Sequence, residues 1–170
     1  MTVKIAILGD THITYFKNLP IQMLDEIKEA DWVIHVGDYI NIDVLNGLIS
    51  LKGGYFIGVY GNADPSYIRE KLPSKDIITI LDKRIGITHP SFGGSSVNTE
   101  KKVLNEFKDD IVDVIIYGHT HEPKIEYKGN VLLVNPGKGY LEKNYFGPST
   151  TMVILKINGD IHGEIKQIKS

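Results

Sequence analysis

Three features of the chain predict an α/β fold. Short apolar runs of strand length (Val3–Leu8, residues 32–36 and residues 55–60) alternate with amphipathic segments of helical spacing. This is the pattern of β-helix-β units with right-handed crossovers and a largely parallel sheet. Each run stops at a glycine followed by Asp or Asn: Gly9-Asp10, Gly37-Asp38 and Gly61-Asn62. After His121 the pattern changes to alternating runs separated by turn residues, with Asn158-Gly159 as a strong hairpin signal. The carboxyl third is therefore predicted to be antiparallel β.

Val3–Leu8 is apolar on both faces, as expected of a strand in a sheet covered on each side. Residues 20–29 carry Ile21, Leu24 and Ile27 at helical spacing, with Pro20 in the first turn. Residues 32–36 form a second buried strand, inside which His35 reads as a hydrogen-bonded structural histidine. Asn41 is placed to cap a helix over 42–50, whose Ile42, Leu45 and Ile49 share one face. The third strand, 55–60, runs into Gly61-Asn62-Ala63-Asp64-Pro65, and a short helix over 66–72 closes at Pro73. Residues 76–81 and 84–88 read as strands joined by a tight turn at Asp82-Lys83, the second ending at His89-Pro90. Residues 91–98 hold two glycines and three serines, the composition of a mobile lip. A helix over 99–107 presents Val103, Leu104 and Phe107, and a run of buried-strand character over 111–117 ends at Gly118. Finally, runs over 124–127 and 131–134 flank Lys128-Gly129-Asn130, while Thr151–Ile157 and residues 161–168 flank Asn158-Gly159. No repeat or linker interrupts the chain, so a single domain over 1–170 is predicted.

The 170 residues carry a net charge of −2 with scattered lysines, so no electrostatic footprint for long nucleic acid is expected. A chain of this length buries roughly 70% of its unfolded surface, enough for a core without staples. The absence of cysteine excludes disulfides and thiolate chemistry and leaves any metal to His, Asp, Glu and Asn. It fits a reducing, cytoplasmic setting. No signal peptide or apolar run of the ~20 residues that cross a bilayer is read, so no membrane partner is expected. The sequence leaves oligomeric state open, a homodimer among the options.

Chemistry is concentrated at the strand ends. In extended backbone, side chains two apart point the same way, so His119 and His121 are expected to face one spot. Such a pair suits a divalent metal better than a core. Asp10 and His12 repeat the spacing, and Asp38, Asn62 and His89 also lie just past strand ends, where α/β sheets gather functional groups. The donors are oxygen and nitrogen, more numerous than a four-coordinate structural zinc uses. They fit two divalent ions sharing one carboxylate; a pair about 3.5–4 Å apart clamps the attacking and leaving oxygens of a displacement at phosphorus.

Taken in order, Asp10-x-His12, Gly37-Asp38, Gly61-Asn62, His89 and Gly118-His119-x-His121 resemble the calcineurin-like metallophosphoesterase superfamily, in its small single-domain phosphodiesterase branch. The resemblance spans Val3 to the Asn135-Pro136-Gly137 loop. It implies a four-layer α-β-β-α sandwich of two facing mixed sheets flanked by helices. By that resemblance Asp10, His12 and His121 hold one metal, Asn62, His89 and His119 the other, and Asp38 bridges them. It assigns catalysis to Asp38, Asn62 and His89, with a hydroxide held on the metals attacking in line. Two dications against two carboxylates and a hydroxide leave about one net positive charge, which draws in a phosphate. Manganese is the expected ion, with nickel, iron, zinc and magnesium as alternatives.

Some positions depart from the family pattern. Where many phosphomonoesterase relatives carry a proton-donating histidine after the Asn, this chain has Ala63. A general-acid contribution of typically 10²–10⁴-fold is then missing, which predicts phosphodiesters with good leaving groups as substrates and weak or no phosphomonoesterase activity. Pro90 replaces a common glycine and leaves His89 intact. Lys138 follows Asn-Pro-Gly and reads either as a substrate-phosphate contact or as a solvated loop lysine. Asp64 orients a ligand or substrate, or caps the turn before Pro65. Tyr39, Asn41 and Phe92 are candidates for the pocket mouth, and His162 reads as a surface residue. The alternative function is a non-catalytic interaction scaffold that keeps the phosphoesterase shape. A nuclease fits less well, lacking the extra domains and basic surface.

Overall fold

The computed structural model describes residues 1–90, 98–141 and 147–169. Five of the strands form one sheet in the order β10-β9-β1-β2-β3, namely β10 (Ile161–Gln167), β9 (Thr151–Ile157), β1 (Val3–Leu8), β2 (Trp32–His35) and β3 (Phe56–Gly58). The other five form a second sheet in the order β4-β5-β6-β8-β7, with β4 (Lys75–Ile80), β5 (Lys83–Thr88), β6 (Val114–Tyr117), β8 (Val131–Asn135) and β7 (Lys124–Lys128). Both sheets are mixed: β1, β2 and β3 run parallel, as do β5, β6 and β8, while β4, β7, β9 and β10 join antiparallel.

Side-chain alternation builds the layers. Ile5 and Ile7 of β1 point between the sheets, meeting Ile34, Val36, Ile85, Ile87, Ile116, Val134 and Leu155. Ala6 and Leu8 point the other way, onto Met23 and Ile27 of α1 (Ile21–Glu29) and Val44, Leu45 and Leu48 of α2 (Ile42–Lys52). On the far side Ile115, Tyr117 and Leu133 pack on Val103 of α4 (Thr99–Glu106) and on Phe107 at its end. The result is the expected α-β-β-α sandwich. Each fully buried Leu or Ile contributes about 1.5–3 kcal/mol, so the three clusters supply ample driving force.

Several sequence expectations shift in detail. Buried-strand character over 111–117 holds only from Val114 onward, because Ile111 is 84% exposed. The strand read over 55–60 shortens to Phe56–Gly58, with Tyr55 in a 3₁₀ turn. The turn between β4 and β5 is Leu81-Asp82 rather than Asp82-Lys83, since Ile80 pairs with Lys83. Leu81 takes a φ of 54°, where a hairpin normally places glycine, and so hides the signal. The carboxyl third forms two hairpins as read, but they join different sheets, and β8 also runs parallel beside β6. Tyr39 is fully buried against α2 and so lines no pocket mouth, while Asn41 caps that helix by accepting the Asp43 amide at 2.9 Å. Phe92 and most of the glycine- and serine-rich segment lie outside the described residues. Among the described residues no helix is long and apolar enough to cross a membrane.

Gly86 of β5 offers a test of the outer layer. A Cβ there would sit 2.6 Å from the Phe107 ring, which is buried under α4. Gly86→Ala should therefore destabilise the protein by about 1–3 kcal/mol through overpacking, read as a lower urea midpoint with unchanged slope.

Candidate metal centre

The five strands that run parallel to a neighbour, and then lead to a candidate ligand, all end at one edge of the sandwich. Asp10 and His12 follow β1, Asp38 follows β2, Asn62 follows β3, His89 follows β5, and His119 and His121 follow β6. The exits are packed tightly enough to exclude side chains between them. A Cβ on Gly61 would lie 2.1 Å from Asp38 Oδ1, and one on Gly37 would lie 2.7 Å from the Gly61 amide nitrogen. The glycine before Asp10, Asp38, Asn62 and His119 is thus required by close approach of loop to loop.

The backbone then turns left-handed. Asp10, His12, Asp38, His119 and His121 have φ of 48°, 43°, 63°, 84° and 62°. Such values are uncommon for non-glycine residues and need surrounding contacts to hold them. They also correct the expectation that His119 and His121 face one spot by strand alternation. Neither is extended, and the two diverge: His121 Nε2 lies 3.4 Å from Asp10 Oδ1, whereas His119 Nδ1 lies 3.1 Å from Asn62 Oδ1.

Two subsites result. In one, His12 Nε2 is 3.8 Å from Asp10 Oδ1, alongside His121. In the other, His89 Nε2 is 2.9 Å from Asn62 Oδ1, which also meets His119. Asp38 stands between them, its Oδ2 3.4 Å from His12 Nε2 and 3.5 Å from His89 Nε2. Each carboxylate is half-tethered: the Ala63 amide donates to Asp38 Oδ1 at 2.9 Å, and the His119 amide donates to Asp10 Oδ2 at 3.1 Å. The remaining oxygen of each is aimed at imidazoles. His89 Nδ1 is fixed on the Val36 carbonyl at 2.8 Å, which directs Nε2 inward.

These groups fit a cation. Asp10 Oδ1 is buried with no hydrogen-bond partner, although buried carboxylate oxygens are ordinarily satisfied. The triads Asp10-His12-His121 and Asp10-Asp38-His89 each bring one donor atom per residue within 4.8 Å of one another. Burial alone would push the Asp10 carboxyl up, but His12, His121 and His89 outweigh it and hold it below the usual range. Burial likewise opposes a charge on His12, yet Asp10 and Asp38 raise it to about 9. His119 is lowered, by burial first and then by His89.

Supporting side chains surround the ligands. Asp64, 3% exposed, accepts the amides of Asp38 and Gly61 on Oδ2 and of Ile40 on Oδ1, at 2.8, 2.8 and 2.9 Å. It therefore ties the exit of β2 to that of β3. His35 is stacked on Tyr39 with centroids 3.8 Å apart, accepts the Gly37 amide at 3.1 Å and lies 3.1 Å from Thr11 Oγ1. Lys138 is 2% exposed with its ammonium 4.9 Å from the Tyr140 ring centroid, which corrects the reading of a solvated loop lysine. Pro90 is buried beside His89. His162 lies on the exposed edge strand β10, away from the ligands in the ladder.

Two contributors were not read from the sequence. Tyr140 sets its ring 5.5 Å from His12 and 6.0 Å from His121, and Arg69 grips the turn that carries Asn62. Neither has a spacing signal, since one sits in an irregular loop and the other ends a four-residue helix.

Asp64→Ala would leave three amide groups without their acceptor. The expected cost is about 3 kcal/mol or more at about 1–3 kcal/mol each, with metal affinity reduced about 10–100-fold, measured by urea unfolding and calorimetric titration. A second expectation concerns acid. Burial lowers His35 to about 3, so below its ordinary value of about 6.5 the unfolded chain takes up a proton that the fold refuses. Stability from this group is complete above about pH 6.5 and is lost as pH falls toward 3, by up to about 1.4 kcal/mol per unit. In metal-free protein, His35→Phe should flatten the unfolding-midpoint profile over that window.

Comparison with known proteins agrees with this geometry. Residues 3–160 match the calcineurin-like phosphoesterase superfamily domain. The chain is 36% identical over 141 residues to the probable metallophosphoesterase MJ0623 of Methanocaldococcus jannaschii, covering 80% of this chain and 68% of that protein. It is 32% identical over 155 residues to the phosphodiesterase MJ0936 of the same organism, covering 82% and 87%. Among solved structures, the Thermotoga maritima protein TM1076 superposes with a TM-score of 0.72 at 28% identity, over 98% of this chain and 99% of that one. Zinc-bound Vps29 from Entamoeba histolytica shares the fold, with a TM-score of 0.73 at 19% identity over 97% and 99%. The chain belongs to the calcineurin-like phosphoesterase superfamily.

Proposed function

We propose that the protein is a phosphodiesterase working with two divalent ions, one held by Asp10, His12 and His121, the other by Asn62, His89 and His119, with Asp38 shared. The observation that carries this reading is the position of Asp38 Oδ2, nearly equidistant from His12 and His89 at 3.4 and 3.5 Å. Two such ions would supply Lewis-acid charge to the phosphoryl oxygens and a nucleophile at neutral pH. Manganese is the expected pair. The kinship with a protein named phosphodiesterase supports the diester class.

The remaining roles belong to the chain. Asp38 holds both halves of the centre at a fixed spacing because its second oxygen is anchored on the Ala63 amide. Asn62 contributes a neutral oxygen, which keeps the charge of the His89-His119 half more positive than that of the Asp10 half. Ala63 is exposed and its side chain has no proton to give, so leaving groups that depart as stable anions are preferred. That favours small diesters with acidic leaving groups over alkyl monoesters. Seven intact donors support an enzyme over a scaffold of the same shape.

The test is hydrolysis of bis-p-nitrophenyl phosphate by manganese-loaded protein, compared with p-nitrophenyl phosphate. The diester should be turned over faster than the monoester, and Asp38→Asn should abolish turnover. Because both substrates release p-nitrophenolate, the missing general acid is read instead on a diester with an alkyl leaving group, which should be cleaved at least ~10²-fold more slowly. Protein that binds metal yet cleaves nothing across a broad diester panel would instead be a scaffold. In parallel, Asp38→Ala should lower occupancy of both ions and His12→Ala mainly one. Equal, undiminished occupancy in Asp38→Ala would contradict the bridge.

A further inference from the structure

Asn62 is the ligand candidate with the least intrinsic hold on an ion, since an amide oxygen is neutral. It is also exposed, on a turn at the rim. Its value depends on how firmly that turn keeps Oδ1 between His89 Nε2 and His119 Nδ1, at 2.9 and 3.1 Å. From the inside the turn is held by Asp64 on the Gly61 amide and by Asp38 on the Ala63 amide. The carbonyls of Asn62 and Asp64 are left over, and both are taken by one side chain.

Arg69, at the end of α3 (Ser66–Arg69), donates Nη2 to the Asn62 carbonyl and Nε to the Asp64 carbonyl, each at 2.8 Å. The guanidinium lies 5.2 Å from the Tyr60 ring centroid, which fixes its plane. A planar fork spanning two carbonyls constrains the residue between them in a way that a single point donor does not. Lysine could reach one carbonyl at a time. We infer that Arg69 is a positioning residue for the metal centre: it clamps the 61–64 turn from outside and holds Asn62 in its ligating pose. The inference rests on the two-ion reading above and adds a residue to it.

The experiment uses Arg69→Lys, which keeps the charge and loses the fork, and Arg69→Gln as a second variant. Manganese titration by calorimetry is expected to show one ion bound as in the wild type and the affinity for the other reduced about 10–100-fold. The diester KM should stay unchanged at saturating manganese while kcat recovers most of the wild-type value. Amide hydrogen exchange in metal-free protein is expected to show the Ala63 amide exchanging at least ~10-fold faster in both variants, with the sheet amides unchanged.

Several results would overturn the assignment. Wild-type affinities for both ions in both variants would do so. So would equal weakening of both ions, which marks a general structural role, or a raised KM with intact metal binding, which marks a substrate contact. If the wild-type protein bound no ion pair, the phosphodiesterase reading would fail by itself, and exchange at Ala63 would still decide whether Arg69 holds the turn.

Discussion

Three backbone amides, from two different strand exits, converge on the buried carboxylate of Asp64. That convergence is the constraint on which the centre depends. Asp38 and Ile40 both have left-handed φ, at 63° and 78°, a conformation that non-glycine side chains adopt only when something compensates. The Asp64 carboxylate compensates by collecting their amide protons. Burial raises its own pKa, and the three amides pull the other way. Asp38 is thereby delivered to the middle of the site with its side chain free to face both halves.

The two carboxylates share a common logic. Each spends one oxygen on a backbone amide from a neighbouring loop and keeps the other for imidazoles. A carboxylate tethered in this way cannot swing toward solvent, and the pose is set before any cation arrives. For Asp38 the tethering amide is that of Ala63, which lies on the turn bearing Asn62. Asn62 is therefore mechanically tied to Asp38, and the loop that Arg69 clamps carries both connections.

Much of this was legible in the sequence because the physical demands leave marks on residue type. Five strand exits crowding one edge leave no room for Cβ atoms, and this is why glycine precedes Asp10, Asp38, Asn62 and His119. Buried parallel strands must be apolar on both faces, which is how Val3–Leu8 was readable. What stayed hidden depends on pairing between distant parts of the chain. Nothing local in residues 124–134 says that β8 would slip beside β6, or that the last hairpin would join the first sheet. The His119 and His121 pair misled for a related reason. The i, i+2 rule assumes extended backbone, and tertiary contacts such as the bond from the His119 amide to Asp10 override it. Of the two readings of Lys138, only solvation fails: a loop lysine is ordinarily solvated, and its burial on Tyr140 comes from a ring that local pattern does not place.

The centre is also electrostatically lopsided. The side formed by Asp10, His12 and His121 adjoins both carboxylates, which raise His12 to about 9 against the effect of its burial. The half built on Asn62, His89 and His119 shares only Asp38, and its His119 is pushed down by burial and by His89. On the two-ion reading, a dication would gain more on the Asp10 side, where two carboxylates adjoin it and Asp10 Oδ1 is buried without a hydrogen-bond partner. A second would meet one shared carboxylate, neutral ligands and the charge of the first. Its affinity then rests less on charge than on how well Asn62 and the two histidines are held in place, so rigidity of the 61–64 turn matters most on the side where electrostatic attraction is weakest.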